Sequence, residues 1–184
     1  MFIALLVILG LAVAWIIYSY NHFVSLSMRV KEAWSDIDVQ LKRRYDLIPN
    51  LVETVKGYAA HESGTLEKVT EMRTRAMNTT APEDKAYAEN MLSGALKSLF
   101  AVSENYPNLK ANENFLALQT QLEDTENKLQ AARRFYNSVV QDMNTAVLTF
   151  PGNLIAGWWH FTSSEFFALA ENEAAAKDPV KVQF

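Results

Sequence analysis

From Phe115 to Phe150 the chain repeats one step pattern, alternating between three and four residues. The positions are Phe115, Leu118, Leu122, Thr125, Leu129, Ala132, Tyr136, Val139, Met143, Ala146 and Phe150. This spacing lines one face of a helix and matches neither strand periodicity nor loop composition. Alternation without a stutter asks for coiled-coil-like packing against another long helix. Asn112 is placed to cap the helix, and Phe150-Pro151-Gly152-Asn153 to break it. The 39 residues from Asn112 to Phe150 would extend ~58 Å. A helix of that length must find its cover elsewhere in the chain.

The mate is the stretch AWSDIDVQLKRRYDLIPNLVETVKGYAAHE, Ala33 to Glu62. Counted from Val30, just before it, the apolar positions are Val30, Trp34, Ile37, Leu41, Ile48, Leu51, Val55 and Tyr58. They carry the same alternation, with one vacancy filled by Arg44. Pro49 lies mid-helix, where it lacks an N–H and crowds the carbonyl of Tyr45, so a kink is expected there. The side chain of Asn50 is at hand for the freed backbone groups. The pattern resumes at Leu66, Val69, Met72 and Ala76. It ends at Asn78-Thr79-Thr80-Ala81-Pro82, with Thr80 or Ala81 capping the next helix and Pro82 in its first turn. That helix repeats the seam at Ala88, Leu92, Ala95, Leu99 and Val102. Asn105-Tyr106-Pro107-Asn108 reads as a turn.

Helices joined by short turns alternate in direction. The expected fold is all-α: a single N-terminal transmembrane helix followed by an elongated antiparallel bundle. The bundle has three long helices, or four if the first breaks at Gly57 or near Gly64. With three, the short middle helix leaves part of the long pair uncovered, which would drive self-association. With four, nothing need be exposed. The division is an anchor at 1–20, a cytoplasmic bundle at 21–150, and an aromatic-rich segment and tail at 151–184.

Met1 to Tyr20 holds no charged side chain. About 20 such residues cross a hydrocarbon core of ~30 Å as a helix. Trp15, Tyr18 and Tyr20 collect at one end, at the level where amphipathic rings settle. Ala12-Val13-Ala14 resembles a signal-peptide cleavage site, but the apolar run continues past it and no basic residue precedes it. No Lys or Arg comes before the span, while Arg29 and Lys31 follow closely. Positive charge stays on the cytoplasmic side, so the N-terminus is expected outside and the bundle inside. The tail run Leu154 to Phe161, followed by Phe166-Phe167, is too short to span. It packs back on the bundle or enters the membrane interface. A fourth helix would place Phe150 near the membrane and a third would place it far away. From Glu171 the chain reads as a solvated tail.

The chemistry is sparse. Net charge is −4 with a pI of about 5.4, the wrong balance for a nucleic-acid face. There is no cysteine, which excludes disulfides, thiolate metal sites and cysteine nucleophiles. His22, His61 and His160 are far apart, and His61-Glu62 lacks the second His of a zinc-protease helix. There is no P-loop, dinucleotide fingerprint or nucleophile elbow. No catalytic, cofactor or metal residue is assigned, and no enzyme activity or cofactor is expected. One polar cluster stands near the seam: Asp36, Asp38, Arg43, Arg44 and Asp46 on the first helix, with Glu123, Glu126, Arg133 and Arg134 on the last. Arg44 facing a carboxylate such as Glu126 would set helix register. The expected packing and register residues are Trp34, Asp38, Arg44, Pro49, Glu126, Arg133 and Tyr136.

Several motifs together resemble one family. They are the single span followed by Tyr20-Asn21, the segment AWSDIDVQLKRRYDLIPNLVETVKGYAAHE, YPNLKAN at Tyr106 to Asn112, ARRFYN from Ala132 onward with its preceding Ala131, and Phe150-Pro151. This resembles the LemA family of bacterial membrane proteins. The resemblance covers nearly the whole chain. It implies a helical cytoplasmic domain on one span in the bacterial inner membrane, and it brings no catalytic residues. The expected role is a membrane-anchored, self-assembling scaffold that contacts lipid and its own copies and has room for a membrane-protein partner. The alternative is an accessory subunit of a membrane transport or membrane-quality complex.

Overall fold

The computed structural model describes residues 1–167. With no Gly or Pro at the junction, the apolar span runs without interruption into the first seam. Helix α1 accordingly covers Phe2–Lys56. Gly57 then ends it, five residues of turn follow, and α2 begins at Ser63 and runs to Asn78. The break therefore falls at Gly57, and Gly64 lies inside the first turn of α2. The remaining elements are α3 (Pro82–Ser103), α4 (Pro107–Lys110), α5 (Glu113–Leu148) and α6 (Gly152–Trp159). The expected turn at Tyr106-Pro107 winds into the one-turn α4, because Pro107 presets the helical φ at its first position. Asn112 caps α5 as its sequence position suggested: its Oδ1 accepts from the Phe115 N–H at 3.0 Å.

By contacts the described residues divide into two compact units, 1–37 with 132–166, and 38–131 with Phe167. Both α1 and α5 contribute to each. The second unit holds the end of α1, α2, α3 and the start of α5. Ile48, Leu51 and Val55 of α1 are fully buried, with Leu66, Val69, Met72 and Ala76 of α2 and Leu92 and Leu99 of α3. Pairings across these helices fix their directions. Tyr106 donates to Glu62 and Asn112 donates to Tyr58 at one level. Arg44 meets Glu89 and Glu126 at another. Going along α1, neighbours on α2 and α5 run backwards and α3 runs forwards. The arrangement is the four-helix alternative, and it removes the uncovered seam that three helices would have left.

Pro49 is accommodated without ending α1. It leaves the Tyr45 carbonyl with no partner in its own helix. Arg73 of α2 supplies the donor, its Nε lying 2.8 Å from that oxygen. Asn50, expected to do this, is exposed instead. A side chain from a neighbouring helix reaches a carbonyl that its own helix cannot serve.

The first unit is built on a small apolar cluster of Phe23, Leu26, Met143, Ile155 and Ala156. Helix α5 stops at Leu148, so Phe150, counted as the last seam position, lies 79% exposed. Gly152 passes so close to α5 that an added Cβ would meet the Ala146 carbonyl oxygen at 2.8 Å. His160 ends α6 in the left-handed conformation, φ 60°. The Phe161 N–H then returns to the Ala156 carbonyl at 2.9 Å, and Phe161 stacks on Phe23 at 5.1 Å. The extended residues beyond are held to α5. Tyr136 donates to the Glu165 carbonyl at 2.9 Å, and Asn144 pairs twice with the Ser164 backbone. The proposed solvated tail from Glu171 lies outside the described residues.

The Pro49–Arg73 arrangement predicts a thermodynamic cycle. Arg73→Ala should cost about 1–3 kcal/mol, the penalty of an unpaired buried carbonyl. Pro49→Ala restores a helical N–H to Tyr45 and should make Arg73 dispensable. Denaturant titration of the detergent-solubilised chain checks this, and the double variant should recover most of the loss.

Candidate functional site

The heptad vacancy at position 44 points straight into the second unit. Arg44 is 4% exposed, so its charge has to be answered there. Its Nη1 donates to Glu89 Oε2 of α3 at 3.1 Å and stands 3.2 Å from Glu126 Oε2 of α5. Its Nη2 donates to Ser93 Oγ at 2.7 Å. Glu89 is completely buried. Its other oxygen accepts a hydrogen bond from the hydroxyl of Tyr45. Lys85, one turn before Glu89, is also buried, with its Nζ on the Thr79 carbonyl at 3.1 Å and 5.7 Å from the Tyr45 ring centroid. Two basic and two acidic side chains thus gather with a phenol and a hydroxyl, most of them withdrawn from water.

The electrostatics follow from that burial. Desolvation pushes the Tyr45 phenol far above its ordinary value of 10.0, and the neighbouring Glu89 carboxylate adds to the rise. Tyr136, in the other unit, moves the same way through burial and Glu165. Asp124, on the surface of α5, is held below the usual carboxylate range chiefly by its hydrogen bond from Lys128.

Of the residues singled out in the sequence, Arg44, Glu126 and Pro49 belong to or border this knot. Arg43 reaches Asp124 only at 4.0 Å with both side chains half-exposed, an arrangement worth little. Asp38 is exposed, because it sits one residue off the buried position of Ile37 and so is turned about 100° away, and it acts on the knot only as a nearby charge that adds to the rise of Tyr45. Trp34 packs edge-on to Tyr136 at 5.3 Å in the first unit. Arg133 is half-buried on α5. Trp15 and Tyr18 face outward along α1, Tyr20 is partly covered by the rings of Trp159 and Phe161, and Arg29 and Lys31 follow exposed.

Sequence reasoning missed Glu89, Tyr45, Ser93 and Lys85. The signal was present in part. Lys85 and Glu89 are spaced i, i+4, and Glu89 directly follows the buried seam position Ala88. Among the described residues no cluster of three or more His, Asp or Glu side chains could hold a metal. His22, His61 and His160 are each exposed. A groove of about 750 Å³ lies between α1 and α2, lined by Val52, Lys56, Leu66, Thr70 and Arg75. The knot does not open into it. The knot's charged groups answer one another, an arrangement suited to fixing how α1, α3 and α5 meet.

Two outcomes test this. Arg44→Ala should destabilise the chain by about 3–5 kcal/mol, since it leaves Glu89 buried without its counter-charge. Arg44→Met combined with Glu89→Leu should recover most of that stability, as apolar replacement of whole buried pairs often does. The second outcome concerns pH. A phenol whose value is raised on folding stabilises fully below its unfolded value and loses that contribution as pH rises above it. Stability should therefore begin to fall near pH 10, and Tyr45→Phe should make that alkaline slope shallower. At neutral pH the same variant should cost about 1.5–3 kcal/mol for the lost bond to a charged acceptor. Denaturation followed by circular dichroism across pH 8–12 reads both effects.

Comparison with known proteins agrees with these motifs. The model of the LemA family matches residues 33–184. "Protein LemA" of Metamycoplasma hominis is 27% identical over 183 residues, covering 96% of this chain and 82% of the relative. "Magnetosome protein MamQ 2" of Paramagnetospirillum magneticum is 26% identical, covering 84% of this chain and 66% of the relative. "Magnetosome protein MamQ" of Magnetospirillum gryphiswaldense is 23% identical, covering 80% and 64%. This chain thus spans just under two thirds of the magnetosome relatives. The match includes the whole Arg44 knot and both long seams, and the chain belongs to the LemA family.

Proposed function

We propose that this protein is a membrane-tethered scaffold whose helical bundle lies on the cytoplasmic side of the bacterial inner membrane. The observation that carries the proposal is the single helix Phe2–Lys56, which supplies both the apolar span and the buried Arg44. One element thus joins membrane attachment to bundle assembly, with no hinge sequence between. The knot adds support, because Arg44, Tyr45, Glu89 and Ser93 are hydrogen-bonded to one another. Relatives named for the magnetosome, not for a reaction, fit the same reading. The orientation rests on Arg29 and Lys31, which follow the span closely.

Self-assembly remains part of the proposal on different grounds from those read in the sequence. The seam of the second unit is closed by its own helices. Exposed apolar side chains off that seam, Val39, Tyr87 and Leu116, are available for contacts between copies. The other reading, an accessory subunit, needs a different protein at the same surfaces.

Two measurements test these points. A C-terminal alkaline phosphatase fusion should be inactive and a fluorescent-protein fusion bright; the reverse pattern would overturn the orientation. The mass of the chain extracted in detergent or native nanodiscs should be a multiple of 20.8 kDa. A strict monomer that co-purifies with a stoichiometric membrane partner would replace the scaffold by the accessory reading.

A further inference from the structure

The bundle reading leaves one surface unexplained. From Met143 to Ser164 the chain carries no Asp, Glu, Lys or Arg, and neither does Met1 to Met28. These two uncharged stretches are the ones the fold brings together. Ile155 and Ala156 of α6 pack on Phe23 and Leu26 of α1. Trp159 and Phe161 close on Tyr20, with ring centroids 5.6 and 5.9 Å away.

The opposite side of α6 is not covered by any of the described residues. Leu154 is 60% exposed and Trp158, one turn on, 76%. Phe150, just before the helix, continues the same apolar surface. Burying such groups in water-poor surroundings is favourable, and leaving them in water is costly.

Level along α1 decides the occupant. The span from Phe2 to Tyr20 rises ~28 Å, about the thickness of the hydrocarbon core. Phe23 and Leu26 then lie ~5–9 Å further along the axis. A headgroup layer is ~5–7 Å deep on each side of that core. Helix α6 therefore sits beside α1 at headgroup depth. Its composition suits that depth, since Trp settles at membrane interfaces. The first charges on α1, the exposed Arg29 and Lys31, come only after this level, where they can reach lipid phosphates.

We propose that α6 is a second membrane contact, lying in the bilayer interface with Leu154 and Trp158 seated among the lipid headgroups and the first acyl carbons. The proposal rests on α1 being inserted. It would hold the end of α5 at the membrane surface, which a lone span does not require.

The test uses the full chain in vesicles of phosphatidylethanolamine and phosphatidylglycerol, with lipids brominated near the top or the middle of the acyl chain. Three single-tryptophan versions are compared, each checked for helicity by circular dichroism. Trp15 is kept alone by Trp34→Phe, Trp158→Phe and Trp159→Phe, and reports on the span. Trp34 is kept alone by the matching changes, and reports a position inside the first unit. Trp158 is kept alone by Trp15→Phe, Trp34→Phe and Trp159→Phe. Trp158 should lose most of its emission, more to the shallow bromines than to the deep ones, while Trp34 loses little.

Quenching of Trp15 without quenching of Trp158 would overturn the α6 contact and leave the anchor intact. Failure of Trp15 to quench would overturn both. A Trp158 that is protected from bromine, with blue emission that depends on the protein-to-lipid ratio, would mean that a second copy covers α6, and would also overturn the lipid contact.

Because the chain has no cysteine, a spin label on Leu154→Cys gives an independent reading with all tryptophans kept. It should be more accessible to oxygen than to a water-soluble nickel complex. A label at the exposed Thr120 should show the reverse. Equal nickel access at both positions would overturn the proposal.

Discussion

A guanidinium buried at a heptad position needs both counter-charge and hydrogen-bond acceptors for its N–H groups. Arg44 meets that requirement with Glu89 on α3, Glu126 on α5 and Ser93 one turn beyond Glu89. An apolar side chain at the same position would pack in several neighbouring registers at similar cost. A charge with fixed partners does not, because a slip of one turn separates it from them in a low-dielectric interior. The second unit can pair α1 with α3 and α5 in few other ways. Burial energy comes from the leucines and valines around the knot, and the knot selects among the packings they allow.

Pro49 places a second demand on the same segment. It frees the carbonyl of Tyr45, the residue after Arg44, and α2 answers through Arg73. Tyr45 therefore serves two helices at once, its carbonyl accepting from α2 and its hydroxyl donating to Glu89 on α3. The segment from Arg44 to Pro49 has a polar attachment to each of the other three helices of its unit. In the first unit the attachments are of another kind. There an apolar cluster around Phe23, and hydrogen bonds between the side chains of Tyr136 and Asn144 and the backbone of Glu165 and Ser164, hold the chain after α6.

Much of this was legible in the residues. The seam positions of α2 and α3 are the buried ones, with Val102 only partly covered, and Asn112 caps α5 where its spacing placed it. The uncertain points all turned on competition between local signals. Gly57 and Gly64 are equally poor helix formers, yet only the first ends a helix. Gly64 stays helical because Leu66 and Val69 just after it pull α2 into the core. Phe150 fits the α5 repeat by count, but Pro151 and the tight passage of Gly152 against Ala146 turn the chain first. Asp38 and Glu89 are both carboxylates beside a seam. Which of them is buried depends on a rotation of one residue about the helix axis and on which helix lies opposite.

Periodicity, charge and the absence of cysteine were enough to determine an all-α chain with one N-terminal span and seams at known positions. Such properties are local, because each depends on residues within a turn or two of one another. Only the tertiary structure decided that the seams close as four helices, that Arg44 is answered by Glu89 as well as Glu126, and that α6 comes to rest beside Phe23 at the end of the span. Those outcomes join residues from 28 to more than 130 positions apart. No local pattern encodes which distant carboxylate, carbonyl or ring will face a given side chain; that is settled when the helices pack.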